Sequence, residues 1–80
     1  MHIDQEPNPE LFEKLRTLRK SIADGERVPA YIVFSDAVLR AMAASVPTTA
    51  RELFAISGVG PVKLERYGER FLELLRANAQ

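Results

Sequence analysis

Leu11, Leu15, Leu18 and Ile22 recur at steps of four, three and four, the spacing of one helical face. Asn8-Pro9-Glu10 starts that helix: Asn8 as N-cap, Pro9 at the first helical position and an acid in the first turn. The polar side carries Glu13, Arg16, Arg19 and Lys20, and Asp24-Gly25 supplies a stop. A second amphipathic stretch puts Val38, Leu39, Met42 and Val46 on one face. Ser35 caps it, Asp36 lies in its first turn, and Ser45-Val46-Pro47 ends it. Thr49-Ala50-Arg51-Glu52 has the form of a capping box, with Leu53, Phe54 and Ile56 as the buried side of the short helix that follows. Pro61 opens another short helix with Val62 and Leu64 turned inward. Tyr67-Gly68 reads as a break, and residues 69–78 form a last helix around Phe71, Leu72, Leu74 and Leu75.

Residues 26–34, Glu-Arg-Val-Pro-Ala-Tyr-Ile-Val-Phe, are rich in strand formers. No second run pairs with them, so a buried loop with one helical turn after Pro29 is the preferred reading. The expectation is an all-α, compact bundle of five to six short helices. Residues 1–8 form an N-terminal tail and residues 9–78 a single domain.

Composition narrows the function classes. Eleven acids balance eleven bases, so binding to an anionic partner must rest on local clusters and not on a global field. There is no cysteine, and the only histidine, His2, lies in the tail, so neither a disulfide nor a metal centre is expected. No apolar run approaches the roughly 20 residues of a membrane span, and no signal peptide opens the chain; a cytoplasmic setting, no membrane contact and a monomer are expected. Ser21, Ser35, Ser45 and Ser57 have no histidine to activate them, and the acids sit at salt-bridge spacing, so no catalytic residue is expected.

The stretch with the most chemistry is Phe-Ala-Ile-Ser-Gly-Val-Gly-Pro-Val-Lys-Leu-Glu-Arg-Tyr-Gly, residues 54–68. Gly58 and Gly60 permit a tight turn and close backbone approach, and the helix opened by Pro61 leaves its first amides unpaired. Those donors, the positive helix end and Lys63 suit a phosphate. The pattern resembles the helix-hairpin-helix element of DNA-repair proteins, which grips phosphates through turn amides. A plainer alternative is a helix–helix corner with Val59 packed in the core.

Three blocks in order widen the resemblance: residues 11–23, residues 28–39 (Val-Pro-Ala-Tyr-Ile-Val-Phe-Ser-Asp-Ala-Val-Leu) and residues 56–68. Together they resemble the helicase-and-RNase-D C-terminal (HRDC) domain, in the version carried by bacterial RecQ-type DNA helicases. The resemblance covers about residues 10–77. It implies an orthogonal, SAM-like helical bundle and a non-catalytic accessory role in DNA repair and recombination. The implied parent is an ATP-dependent 3′–5′ DNA helicase, cytoplasmic and nucleoid-associated. ATP and magnesium would belong to its motor domains, since no Gly-Lys-Ser/Thr phosphate loop occurs here and no cofactor is expected in this domain. The implied partners are single-stranded or branched DNA, bound weakly, and other domains of the parent.

Tyr31 matches the family position of a partly exposed aromatic that supports single-strand binding; the alternative is a core tyrosine like Phe34. Arg27, four residues earlier, Lys63 and Arg66 after the turn, and more weakly Lys20 and Arg16 on the first helix are the phosphate candidates, beside Gly58 and Gly60. Tyr67 is expected to pack between the last two helices. Asp24, Glu26 and Asp36 flank the Tyr31 segment, and a neutral, mixed-charge surface also suits docking onto a protein partner. An accessory domain of an RNase D-like ribonuclease is a third, less favoured reading.

Overall fold

In the computed structural model, which describes residues 8–79, five helices follow one another: α1 (Pro9–Glu26), α2 (Ala30–Val33), α3 (Asp36–Ser45), α4 (Ala50–Phe54) and α5 (Pro61–Ala77). The expected all-α bundle is what the chain forms, and no strand occurs among the described residues. The expectations for His2 and the rest of residues 1–7 concern residues outside them. α1 packs along α2 and α3, while α4 packs on α5. Leu15, Phe34, Leu39, Met42, Leu53, Phe71 and Leu75 are fully buried at the centre.

The helix starts follow the predicted caps. The Leu11 amide donates to Asn8 Oδ1 at 3.2 Å, the Val38 amide to Ser35 Oγ at 3.2 Å and the Glu52 amide to Thr49 Oγ1 at 3.1 Å. The capping box is completed one residue early: Glu52 Oε1 accepts from the Thr48 amide at 2.8 Å and from its hydroxyl at 3.3 Å. Those bonds, the Thr48 amide foremost, hold the Glu52 carboxyl below its ordinary pKa.

Several expectations are corrected. Gly25 does not stop α1; it is helical, and the helix ends two residues later at Arg27, which adopts φ 59° and ψ 45°. The Arg27 amide donates to Asp24 O and the Val28 amide to Ala23 O, the paired bonds of a Schellman turn. Tyr67-Gly68 is no break either, for α5 runs 17 residues without interruption. A Cβ on Gly68 would lie 3.0 Å from Leu64 Cδ1 and 3.8 Å from Leu53 Cδ2. The glycine therefore leaves room for the Leu64 side chain one turn back on α5, and that packing outweighs its propensity penalty of about 1 kcal/mol. Val62 faces solvent rather than the core, Phe54 is half exposed, and Leu18, Leu64 and Leu74 are only partly buried. Arg19, assigned to the polar face, is buried to 8% exposure.

Candidate functional site

Phe34 organises the region where the predicted residues meet. It caps α2 in extended conformation and is fully buried. Its ring meets Tyr67 edge-on at 6.0 Å and Phe71 edge-on at 5.0 Å, and Lys63 Nζ lies 6.0 Å from its centroid. Lys63, Tyr67 and Phe71 stand at i, i+4 and i+8, one stripe of α5 closed over a single ring. Tyr67 thus packs against α2 and the end of α1, not between two terminal helices.

Tyr31 lies three residues before Phe34 on the one-turn helix α2 and is 66% exposed, with Ile32 beside it at 41%. The core alternative for Tyr31 is therefore set aside. The following Val33 and Phe34 are completely buried. The short helix thus anchors on one side and presents an aromatic on the other, an arrangement able to stack on a base.

The cations differ in how free they are. Arg27 is exposed at the α1–α2 junction and carries no ion pair among the described residues. Lys63 is half-buried; it lines a shallow depression with Gly58, Val59, Gly60, Pro61 and Val62, and its ammonium lies 6.0 Å from the Phe34 centroid. This one residue makes the hairpin turn continuous with the α2 region. Arg66 is ion-paired to Glu26 at 3.3 Å and lies 5.3 Å from the Tyr67 centroid. Lys20 pairs with Asp24 at 3.1 Å and lines the α1–α2 groove with Arg16, Pro29 and Ala30. Arg16 in turn pairs with Glu13 at 3.1 Å.

The Gly58–Gly60 turn does both jobs that its sequence left open. Val59 is buried, as a corner requires. At the same time α5 starts at Pro61, and its first intrahelical bond runs from the Leu64 amide to Gly60 O at 2.9 Å. The Val62 and Lys63 amides have no intrahelical acceptor, and both residues line the depression. Among the described residues no group of three or more His, Asp or Glu side chains is arranged to hold a metal ion. No helix there is long and apolar enough to cross a membrane.

Two polar residues were missed at the sequence level. Glu26 Oε1 accepts from the Tyr67 hydroxyl at 2.8 Å as well as from Arg66, and this bond pushes the tyrosine pKa above its ordinary value. Arg19 Nη1 donates to Phe34 O at 2.9 Å and to Asp36 Oδ1 at 2.8 Å, and the Arg19 bond holds the Asp36 carboxyl below its ordinary pKa. The signal for Arg19 was present: it stands four residues after Leu15 and three before Ile22, on the buried face. The acids flanking Tyr31 are thus each engaged: Asp24 with Lys20, Glu26 with Arg66, Asp36 with Arg19.

Comparison with known proteins agrees with this architecture. The sequence profile of the HRDC domain matches residues 8–75. The chain is 51% identical over 77 residues to the ATP-dependent DNA helicase RecQ of Haemophilus influenzae, covering 89% of the chain. It is 46% identical over 67 residues to the ATP-dependent DNA helicase UvrD2 of Mycobacterium tuberculosis, covering 84% of the chain. It spans only 12% and 10% of the lengths of these two relatives. Among solved structures, HRDC domain 3 of D. radiodurans RecQ superposes with a TM-score of 0.84 at 38% identity, covering 89% of this chain and 93% of that one.

Proposed function

Because the chain belongs to the HRDC domain family, we propose that it is a non-catalytic accessory domain of a RecQ-type, ATP-dependent DNA helicase that binds single-stranded or branched DNA weakly and biases substrate choice in repair and recombination. The observation that carries this reading is the exposure of Tyr31 on a short helix that Val33 and Phe34, both wholly buried, anchor to the core. Tyr31 stacks on a base; Arg27 and Lys63, with the Val62 and Lys63 amides, follow the phosphates; Arg66 and Lys20 join when their acids release them. The two curated relatives are helicases, which favours a helicase parent over a ribonuclease.

Fluorescence anisotropy with a labelled oligothymidylate tests it. Stacking is worth about 1–3 kcal/mol per base, so Tyr31→Ala should weaken binding about 5- to 150-fold. Its stability should stay within about 0.5 kcal/mol of the parent chain, because the side chain is mostly in water. Two free cations, Arg27 and Lys63, give a slope of log K against log salt of about −1.4. A probe left free by about 100 µM protein at low salt refutes direct binding.

The engaged acids around α2 favour a second reading, in which the domain docks onto its parent or a partner protein and acts on substrate choice without gripping DNA. Deleting the domain from the parent should then change its structure preference although the isolated domain leaves DNA free. An unchanged parent would sink this version.

A further inference from the structure

We infer that Arg19 is the positioning residue of the Tyr31 platform, acting through the backbone of α2 and never touching DNA; this rests on the reading of Tyr31 as the DNA contact. α2 is a four-residue helix, too short to hold its own shape. Its outer residues Tyr31 and Ile32 are exposed, so the platform is held only from beneath. Val33 and Phe34 supply the apolar hold, but they leave the carbonyl at the end of the turn to be satisfied. Arg19 reaches it from α1, and the same nitrogen takes Asp36 in the first turn of α3. One guanidinium thereby ties α1 to the joint between α2 and α3, where the chain turns out of the tyrosine-bearing helix.

Arg19 also lines the groove between α1 and α2 with Ala23, Val28, Pro29 and Ala30. It is the one buried charged residue among those described, and its Nε has no partner. A cation kept half-satisfied in a core is poor stabilisation, for an apolar residue of similar length often serves the fold as well. The role that an apolar residue would not fill is the bond to Phe34 O. Arg19→Met is therefore expected to fold, leaving Asp36 in water, where its side chain is already 56% exposed. What it loses is the fixed exit from α2.

The experiment is a double-mutant cycle on the 80-residue chain, comparing Arg19→Met, Tyr31→Ala and the double variant. The probe is labelled oligothymidylate at low temperature, with native helicity checked by circular dichroism. Arg19→Met should weaken binding about three- to tenfold, a part of the loss that Tyr31→Ala brings. In the Tyr31→Ala background it should weaken binding no further, since it acts through that ring. Its salt slope should equal that of the unmutated chain, since a buried cation neutralises no phosphate. Without DNA, the Phe34 amide, which donates to Ala30 O at 3.4 Å, should exchange faster while α3 amides are unchanged. Should Arg19→Met fail to fold, Arg19→Lys, whose ammonium sits one bond nearer the backbone than the Nη1 that reaches both Phe34 O and Asp36 Oδ1, takes its place with the same expectations. Full affinity in the Arg19 variant beside a weakened Tyr31→Ala overturns the inference and leaves the functional reading standing. Equal losses in both backgrounds also overturn it. Full affinity in Tyr31→Ala overturns the functional reading instead, and an unchanged Phe34 exchange rate then overturns the positioning role as well.

Discussion

Replacing Gly58 by alanine should damage the domain far more than the same change two residues later. Gly58 has φ +99°, beyond even the left-handed helical region that other residues occasionally visit. Alanine with left-handed backbone costs about 1–2 kcal/mol. In addition, a Cβ there would sit 2.6 Å from Val38 Cγ2. Val38 is 5% exposed and β-branched on α3, so its side chain has one good helical rotamer and little freedom to swing aside. Forcing a methyl into such a site costs about 1–3 kcal/mol. The two effects sum to about 2–5 kcal/mol, a large share of the roughly 4–12 kcal/mol an 80-residue domain has. At about 4–8 °C per kcal/mol, the thermal midpoint should fall by at least about 8 °C. Gly60 has φ −84° and nothing within 4 Å of an added Cβ. There alanine trades a poorer N-cap against a stiffer unfolded chain, two effects of about 0.4–1 kcal/mol that oppose each other. Thermal and urea melts followed at 222 nm compare them. Trimming Val38 to alanine should relieve part of the Gly58→Ala penalty, giving a coupling of about 1 kcal/mol or more. If Gly58→Ala and Gly60→Ala melt within about 2 °C of each other, Gly58 is not sterically required.

Glu26→Gln should tighten DNA binding severalfold and steepen the salt slope by about 0.7, because Arg66 is released for one more single-strand phosphate; stability should fall by about 1 kcal/mol, since the amide still offers the Tyr67 hydroxyl an acceptor but not a charged one. Anisotropy titrations at several salt concentrations check both, and unchanged affinity removes Arg66 from the interface. Asp36 has a folded pKa below its unfolded value, owing first to the Arg19 bond, so its contribution is present above about pH 4 and fades as pH falls through the folded value. Asp36→Asn should therefore flatten the acid limb of the stability–pH curve relative to the unmutated chain, as read from urea midpoints between about pH 5 and 2. Tyr67 gives the opposite sign at the alkaline end: its pKa is raised by the Glu26 bond, so its contribution holds below about pH 10 and is lost above, a limb that Tyr67→Phe should remove.

What the chain announced in advance was whatever local chemistry decides. Asn8, Ser35 and Thr49 cap because a short side-chain oxygen reaches the next turn's amide whatever surrounds it. The stops were read less well, because glycine ends a helix only when nothing else pays it to continue. At Gly68 the space taken by the Leu64 side chain does so, and at Gly25 the turn is completed at Arg27 with Val28 bonded back to Ala23. The candidate site was legible in part. Tyr31 could be named but not oriented, since four residues are too few to show a periodicity. Val62 and Phe54 were assigned inward on pattern alone, yet they flank a turn whose direction depends on Gly58 fitting beneath Val38. Glu26 was read only as a repulsive neighbour, because its bonds to Arg66 and Tyr67 cross about 40 residues of chain.

The zero net charge is built from local cancellations, and those set the strength of any DNA grip. Lys20, Arg19 and Arg66 each face an acid within 3.3 Å, whereas Arg27 and Lys63 carry no ion pair among the described residues. Each phosphate that recruits Lys20 or Arg66 must displace a carboxylate, so part of its attraction is returned. On the proposed reading, two free cations, a pair of turn amides and one stacking ring then make an isolated domain that binds at about 100 µM. Such an affinity is slight for a free protein but ample for a tethered one. A short flexible linker holds a module at about millimolar effective concentration beside its strand, which would fill a 100 µM site about nine-tenths of the time. Removing the paired acids would raise intrinsic affinity at the expense of release, which on the proposed reading the domain needs each time its parent helicase moves along DNA. The ion pairs that lower the affinity of the domain are thus consistent with its proposed work, and Glu26→Gln measures how much of that weakness one carboxylate supplies.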